Sequence, residues 1–277
     1  MPSPGMPLAE FVSHVLELAA TDSAQAWLTA MSDAASHDVA GMPDAPWASA
    51  ATPVVTCCYD GHGDLSDGSL TGHWPAVVGA QRADWLLLPA RNGASCRVLV
   101  AREDAHVDAV DDHAGLGGAG VSRVSVAHLT ADRLHVVSGD HATAATRAGA
   151  GAAASVVGSA VGVWRRHVEQ LRVQLATSYR SAEITDAAAA QVARAASDLD
   201  AATLQVTAPP PDERDLAATV RVYRQAVARA RSAADHLLEG GRHALDASNP
   251  VTQRWRDVDA GSRLAARLLD GLPPPLR

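Results

Sequence analysis

From residue 140 onward, apolar residues recur at helical spacing through four consecutive segments, and this pattern constrains the fold more than any other feature. Val156, Ala160, Val163, Trp164, Leu171 and Leu175 form one stripe, and Val192, Ala196, Leu199 and Val206 form a second. Leu216, Val220, Tyr223, Val227, Ala234 and Leu237 make a third, and Trp255, Val258, Leu268 and Leu269 bracket a fourth. The breakers between the later segments are "APPPDE" (208–213) and "GGRHALDASNP" (240–250), where proline and glycine cannot continue a helix. Four stripes of 3.6-residue period predict a four-helix bundle. Its core must be built from Ala, Val and Leu, because the chain is 47% hydrophobic but only 4% aromatic.

The upstream half has a different texture. Residues 7–37 carry Phe11, Val15, Leu18, Trp27, Leu28 and Met31 at helical spacing, with Asp22-Ser23 as a break or cap between two helices. From about 52 to 137, short β-prone runs ("TPVVTCCY", "ADWLLLPA", "SCRVLVARE", "SRVSVAHL", "DRLHVV") alternate with Gly- and Asp-rich turns. Strands of this length and spacing predict a compact antiparallel sheet or barrel. The expected class is α+β: a short helical segment over 1–50, an antiparallel β domain over 51–138 and a helical bundle for oligomerisation over 139–277.

Charge and cysteine content exclude several roles. The net charge is −8, and no basic run is long enough to neutralise a phosphate backbone, so nucleic acid is not an expected partner. All 23 basic residues are arginine. Cys57, Cys58 and Cys96 neither form a disulfide framework nor show metal-ligand spacing, and the 12 histidines are scattered, so no metal site is expected. No apolar run is long enough to cross a bilayer, and Arg147 interrupts the nearest one, 142–163. The first residues lack a signal-peptide pattern, so the expected location is the cytoplasm.

Three local motifs stand apart from this plain background. The first is "DGSLTGHWPAVVGAQRADW" (67–85), the second "GLGGAGVSRVSVAHLTADRL" (115–134) and the third "NPVTQRWRD" (249–257). The glycine-rich second motif is followed by a strand, not a helix, so it is not a dinucleotide-phosphate cradle. Together, in this order and on this architecture, the motifs resemble the acyl-CoA dehydrogenase superfamily, with a closer likeness to its two-component flavin monooxygenase branch.

The resemblance implies a flavin, FAD or FMN, between the β domain and the bundle, with help from a neighbouring subunit. It places Trp74, Val77, Val78 and Gly79 at the cofactor, with Trp74 packed beside the flavin, and adds Gly240 and Gly241. The family's paired serines stand here as Val77 and Val78, and its Thr and Ser in the second motif as Ala119 and Val121. Family members also carry a longer N-terminal helical region. After the third motif, the monooxygenase branch has a histidine where this chain has Leu264. Many dehydrogenases place the catalytic glutamate where it has Ala265. Neither residue can move a proton or hold an oxygen, so no catalytic residue is assigned.

Two functions of different class follow. In one, the chain is a subunit of a flavin-dependent oxidoreductase complex that does not catalyse alone. It would assemble as a homo-oligomer, or with a full-length paralogue that completes or replaces its flavin site. In the other, it is an active flavin-dependent oxidoreductase with a rearranged site. Either would act on a small molecule or an acyl thioester.

Overall fold

The structure, a computed structural model, describes residues 6–40, 42, 45–47, 53–110, 115–137, 141–177, 185–209, 215–239, 246 and 248–272. Its axis is a 36-residue helix, α3 (Ala142–Thr177), whose first two thirds are mostly Ala, Gly, Ser and Val. Two helices of the N-terminal region, α1 (Leu8–Thr21) and α2 (Ser23–Val39), lie against it. The approach is close because α3 has no side chain where they touch. A Cβ on Gly158 would stand 2.3 Å from the Leu16 carbonyl oxygen, and one on Gly151 would stand 2.7 Å from Ala30 Cβ. Asp22 ends α1 and caps α2, its side chain accepting from the Gln25 amide at 2.9 Å. The Asp22-Ser23 break is where the sequence places it.

The bundle is completed by α4 (Asp186–Thr207), α5 (Leu216–Glu239) and α6 (Pro250–Gly271). Thr185 caps α4, accepting from the Ala188 amide, and Asn249 caps α6, accepting from Val251, with Pro250 at the first helical position. The stripe residues Val156, Val163, Leu199, Tyr223, Leu237, Val258 and Leu269 are buried in one core that also takes in α1 and α2. Indole nitrogens tie the helices: Trp164 Nε1 donates to Val192 O at 3.2 Å, and Trp255 Nε1 to Asp235 at 2.7 Å.

In sequence, α2 and α3 are separated by one sheet of eight strands: β1 (Val55–Cys57), β2 (His62–Ser66), β3 (Ser69–Val77), β4 (Trp85–Asn92), β5 (Ala94–Ala101), β6 (His106–Ala109), β7 (Ser122–Thr130) and β8 (Leu134–Val137). The strand order is β6-β7-β3-β2-β4-β5-β8, with β1 also paired to β4. The sheet is mixed, which corrects the purely antiparallel expectation. Both β1 and β2 run parallel to β4, at Val55↔Trp85 and Asp64↔Arg91. They are successive pieces of one extended run along a single edge of β4, interrupted where Gly61 takes φ +93°. Residues 78–84 return the chain after the β2–β3 hairpin, so β4 starts in the same direction as β1. The sheet has its own core, in which Trp74, Leu70, Leu86, Leu88 and Val98 are fully enclosed.

Buried charge links the layers. Arg147 on α3 pairs with Asp33 on α2 at 2.6 Å, stacks over Phe11 at 4.6 Å and donates to Met6 O. Arg97 on β5 lies 3.5 Å from Asp38, donates to Cys58 O at 3.0 Å and stacks over Tyr59 at 4.2 Å. None of the helices among the described residues is long and apolar enough to cross a membrane.

Candidate functional site

The third motif builds the seat of the second. Pro250 and Asn249 start α6 so that Arg254 and Asp257 fall one turn apart, on the side facing α1 and the loop before β7. Arg254 donates to the carbonyls of Ala20 and Thr21 at 3.2 and 3.0 Å, bonding acceptors left free at the C-terminus of α1. Asp257 accepts from the Leu116 amide at 2.8 Å. The glycine loop comes down hard against the helix, because a Cβ on Gly115 would stand 2.3 Å from the Arg256 carbonyl oxygen. Leu116 and Gly120 then adopt left-handed backbone, and the carbonyls of Ala119 and Gly120 accept from Gly79 N at 3.0 and 3.2 Å. One carboxylate thus fixes the loop, and the loop fixes the end of the first motif.

The first two motifs meet α6, just beyond the third, at a cleft of about 330 Å³. Pro75 and Ala76 come from the first motif, Gly115, Leu116, Gly117, Gly120 and Val121 from the second, and Ala260, Arg263, Leu264 and Arg267 from the helix that follows the third. The remaining described lining is Gln81, Ala109 and Val110, so these walls offer amide and guanidinium donors but neither a carboxylate nor an imidazole. Arg263 is engaged by Asp259, which Arg231 also pairs. On the other side of the glycine loop lies a second cleft of about 860 Å³. Its lining includes Arg165, Arg166, Arg172 and Arg254, with Glu169, Asp22 and Asp257 as its acids.

None of the described residues expected at the cofactor lines either cleft. Trp74 is a core residue: it is 0% exposed, donates to Pro89 O at 3.0 Å and is packed against Gly63 and Gly72. A Cβ on Gly72 would lie 2.5 Å from Trp74 Cη2, so the glycines of that hairpin make room for the indole. Val77 and Val78 are buried as well, and Ala119 is 0% exposed. Gly79 takes φ +71°, and a Cβ there would meet Leu28 at 2.6 Å. Gly240 and Gly241 lie outside the described residues. Of the positions where the resemblance expects a polar group, Val121 and Leu264 line the cleft, whereas Ala265 is buried in the bundle. From the first motif, Pro75, Ala76 and Gln81 reach the cleft.

Asp257 is mostly enclosed, and burial raises its carboxyl above the ordinary carboxylate range, opposed by the Leu116 N–H bond and by Arg254. A raised folded pKa contributes stability below the unfolded value, lost as pH rises through the folded one. At neutral pH the charge itself therefore opposes folding, and the anchor is the hydrogen bond. Asp257→Asn keeps an acceptor for Leu116 and is expected to match or exceed the parent Tm at pH 7 and to flatten the acid side of the stability profile. Asp257→Ala is expected to lose about 1–3 kcal/mol by orphaning the Leu116 amide. Thermal melts from pH 4 to 8 check both. The Cys57 and Cys58 thiols, pushed up to about 12 by burial, are not nucleophiles. Among the described residues no group of three His, Cys, Asp or Glu side chains suits a metal ion.

Known structures show this arrangement of layers. The ChsE4–ChsE5 complex of Mycobacterium tuberculosis superposes with a TM-score of 0.76 at 18% identity, covering 97% of this chain and 79% of that one. A glutaryl-CoA dehydrogenase of Mycobacterium smegmatis, in complex with FADH2, superposes with a TM-score of 0.73 at 10% identity, covering 96% and 79%. The chain has the acyl-CoA dehydrogenase fold. At the level of sequence, this acyl-CoA dehydrogenase-like chain is 29% identical over 247 residues to the flavin-dependent monooxygenase, oxygenase subunit HsaA, of Rhodococcus jostii (strain RHA1). The match takes in 74% of this chain and 65% of that protein, so the chain spans just under two thirds of its relative's length. No family model matches it.

Proposed function

We infer that the chain is an active flavin-dependent oxidoreductase of the monooxygenase type, with a rearranged substrate site. The observation that carries this reading is the convergence of the first two motifs and α6 on one cleft, with the Asp257–Leu116 bond tying the third motif to the glycine loop. The cleft suits a flavin. Pro75, Ala76, Leu116 and Val121 offer flat apolar wall, the glycines allow backbone approach, and Gln81 and Arg267 offer donors to ring oxygens. Across the loop, Arg165, Arg166 and Arg172 suit its phosphate. Bound there, a reduced flavin would supply the redox chemistry. The chain's part is to hold the ring, orient the substrate against α6 and keep water from between them. Relatives that carry or use flavin, the HsaA oxygenase subunit and the FADH2-bound dehydrogenase, support the cofactor.

A second reading is favoured by the cleft's lack of any carboxylate or imidazole among its described lining. In that case the chain works as one subunit of a pair, and the ChsE4–ChsE5 neighbour is itself a complex of two chains. The burial of Val77, Val78 and Ala119 weighs against it, because the apolar side chains there pack the core and do not mark deleted chemistry. Incubation with FAD or FMN followed by gel filtration separates the two. The active-enzyme reading expects a visible flavin spectrum co-eluting at close to one per chain with the homo-oligomer. A colourless peak that gains flavin only with a full-length paralogue would replace it with the paired-subunit reading.

A further inference from the structure

The corner between α1 and α2, residues 20–24, touches both the helix that seats the glycine loop and the loop itself. Arg254 of α6 donates to the Ala20 and Thr21 carbonyls, and Ala24 stands 3.1 Å from the place a Cβ on Gly118 would take. Between them Ser23 opens α2 and is 4% exposed. Its hydroxyl lies 2.9 Å from the Ser159 hydroxyl on α3 and bonds the Asp257 carboxyl, which accepts from the Leu116 amide at 2.8 Å. Ser159 is equally enclosed and also donates to Ser155 O, one turn back on its own helix, at 2.7 Å. Alanine would fill the same space in this alanine-rich helix with no polar atom to bury. What the Ser159 oxygen adds is the bond across to Ser23. Donation runs one way, from Ser159 to Ser23, from Ser23 to Asp257, and from Leu116 to the same carboxyl. Bonds in such a chain polarise one another, and those that end on a carboxylate are the strong ones.

We propose that Ser23, backed by Ser159, is a positioning residue for the flavin seat, fixing the carboxylate by which α6 holds the glycine loop. A carboxylate held by one bond can still turn about its side-chain torsions, and a second bond from another helix fixes its plane. The held residue needs this, because Leu116 takes φ +60°, a backbone region that costs a residue with a Cβ. The N-terminal helix pair, and not the bundle alone, thereby sets the loop that walls the cleft. This rests on the cleft as the flavin seat and deepens it.

Amide exchange of residues 115–121 in the flavin-free full chain, with FAD titrations of the same variants, tests the relay. Ser23→Ala is expected to speed exchange there at least about tenfold and to weaken FAD binding at least about fivefold, the scale of one charge-assisted bond. Ser159→Ala is expected to act in the same direction by about threefold, losing only the backing bond. In an Asp257→Ala background, Ser23→Ala should add less than about twofold, because the two residues act as one unit. Ser155→Ala is the control: this buried serine on the same helix bonds Gly151 O, and its loss should leave loop and flavin within about twofold even where Tm moves. The groups facing Asp257 are the Leu116 N–H from the loop, Arg254 from its own helix, and Ser23 and Asp22 from the corner. The Ser23 bond favours the charged carboxyl, so the effect of Ser23→Ala should fade as pH falls from about 8 to about 4. Loop exchange unmoved by both Ser23→Ala and Ser159→Ala would overturn the relay. An equal effect from Ser155→Ala, an effect of Ser23→Ala undiminished without Asp257, or one constant with pH would do the same. Faster loop exchange with unchanged FAD affinity refutes the flavin seat alone, and tight FAD binding with an unmoved loop refutes the relay alone.

Discussion

Asp33→Ala is expected to destabilise the chain by about 3–5 kcal/mol, lowering Tm by on the order of 10 °C. Asp33 and Arg147 are both enclosed between α2 and α3, and the guanidinium's other contacts are one carbonyl and the face of Phe11. Removing the carboxylate leaves a buried cation without its paired counter-charge. The pair itself is worth less than its breakage costs, since desolvating two ions offsets most of their attraction. The double variant Asp33→Ala/Arg147→Met is therefore expected to recover a large part of the loss. Urea or thermal melts of the two variants side by side measure this. A single variant as stable as the parent would mean that Arg147 finds water or another acceptor.

Gly115→Ala is the second large effect, and it acts on the site. At φ +105° an alanine is strained, and its Cβ would lie 2.3 Å from Arg256 O and 2.5 Å from Arg256 C, both helix backbone that cannot give way. The loop must lift, breaking the Leu116–Asp257 bond and the contacts of Ala119 and Gly120 with Gly79. A cost of about 3 kcal/mol is expected, together with at least a tenfold loss of flavin affinity if the loop shapes the cofactor seat. Gly93→Ala is the control. It has φ +68°, but nothing lies within 4 Å of the added methyl, so only backbone strain of about 1–2 kcal/mol should appear, without effect on flavin. Flavin titrations and melts of both variants distinguish loop displacement from general destabilisation.

The helices were legible because each apolar stripe carries its own period, and the caps at Asp22, Thr185 and Asn249 coincide with its ends. The atoms that the arginine and aspartate of the third motif would hold were not legible; Arg254 and Asp257 reach α1 and the glycine loop, more than a hundred residues away in sequence. Side-chain direction at the end of β3 was not legible. Val77 and Val78 are both enclosed, because Val77 joins the sheet's own core and Val78 the core shared with the helices. Trp74 was expected beside a cofactor, and the three glycines around its ring, at 61, 63 and 72, were the available sign of a tightly packed indole.

Flavin is expected at the cleft between the first two motifs and α6. Amide hydrogen exchange of the full chain, with and without saturating FAD, tests this most directly. Slowed exchange is expected at 75–76, 115–121 and 260–267, the segments that wall the cleft. Unchanged exchange in all three, or protection confined to other parts of the chain, would contradict it.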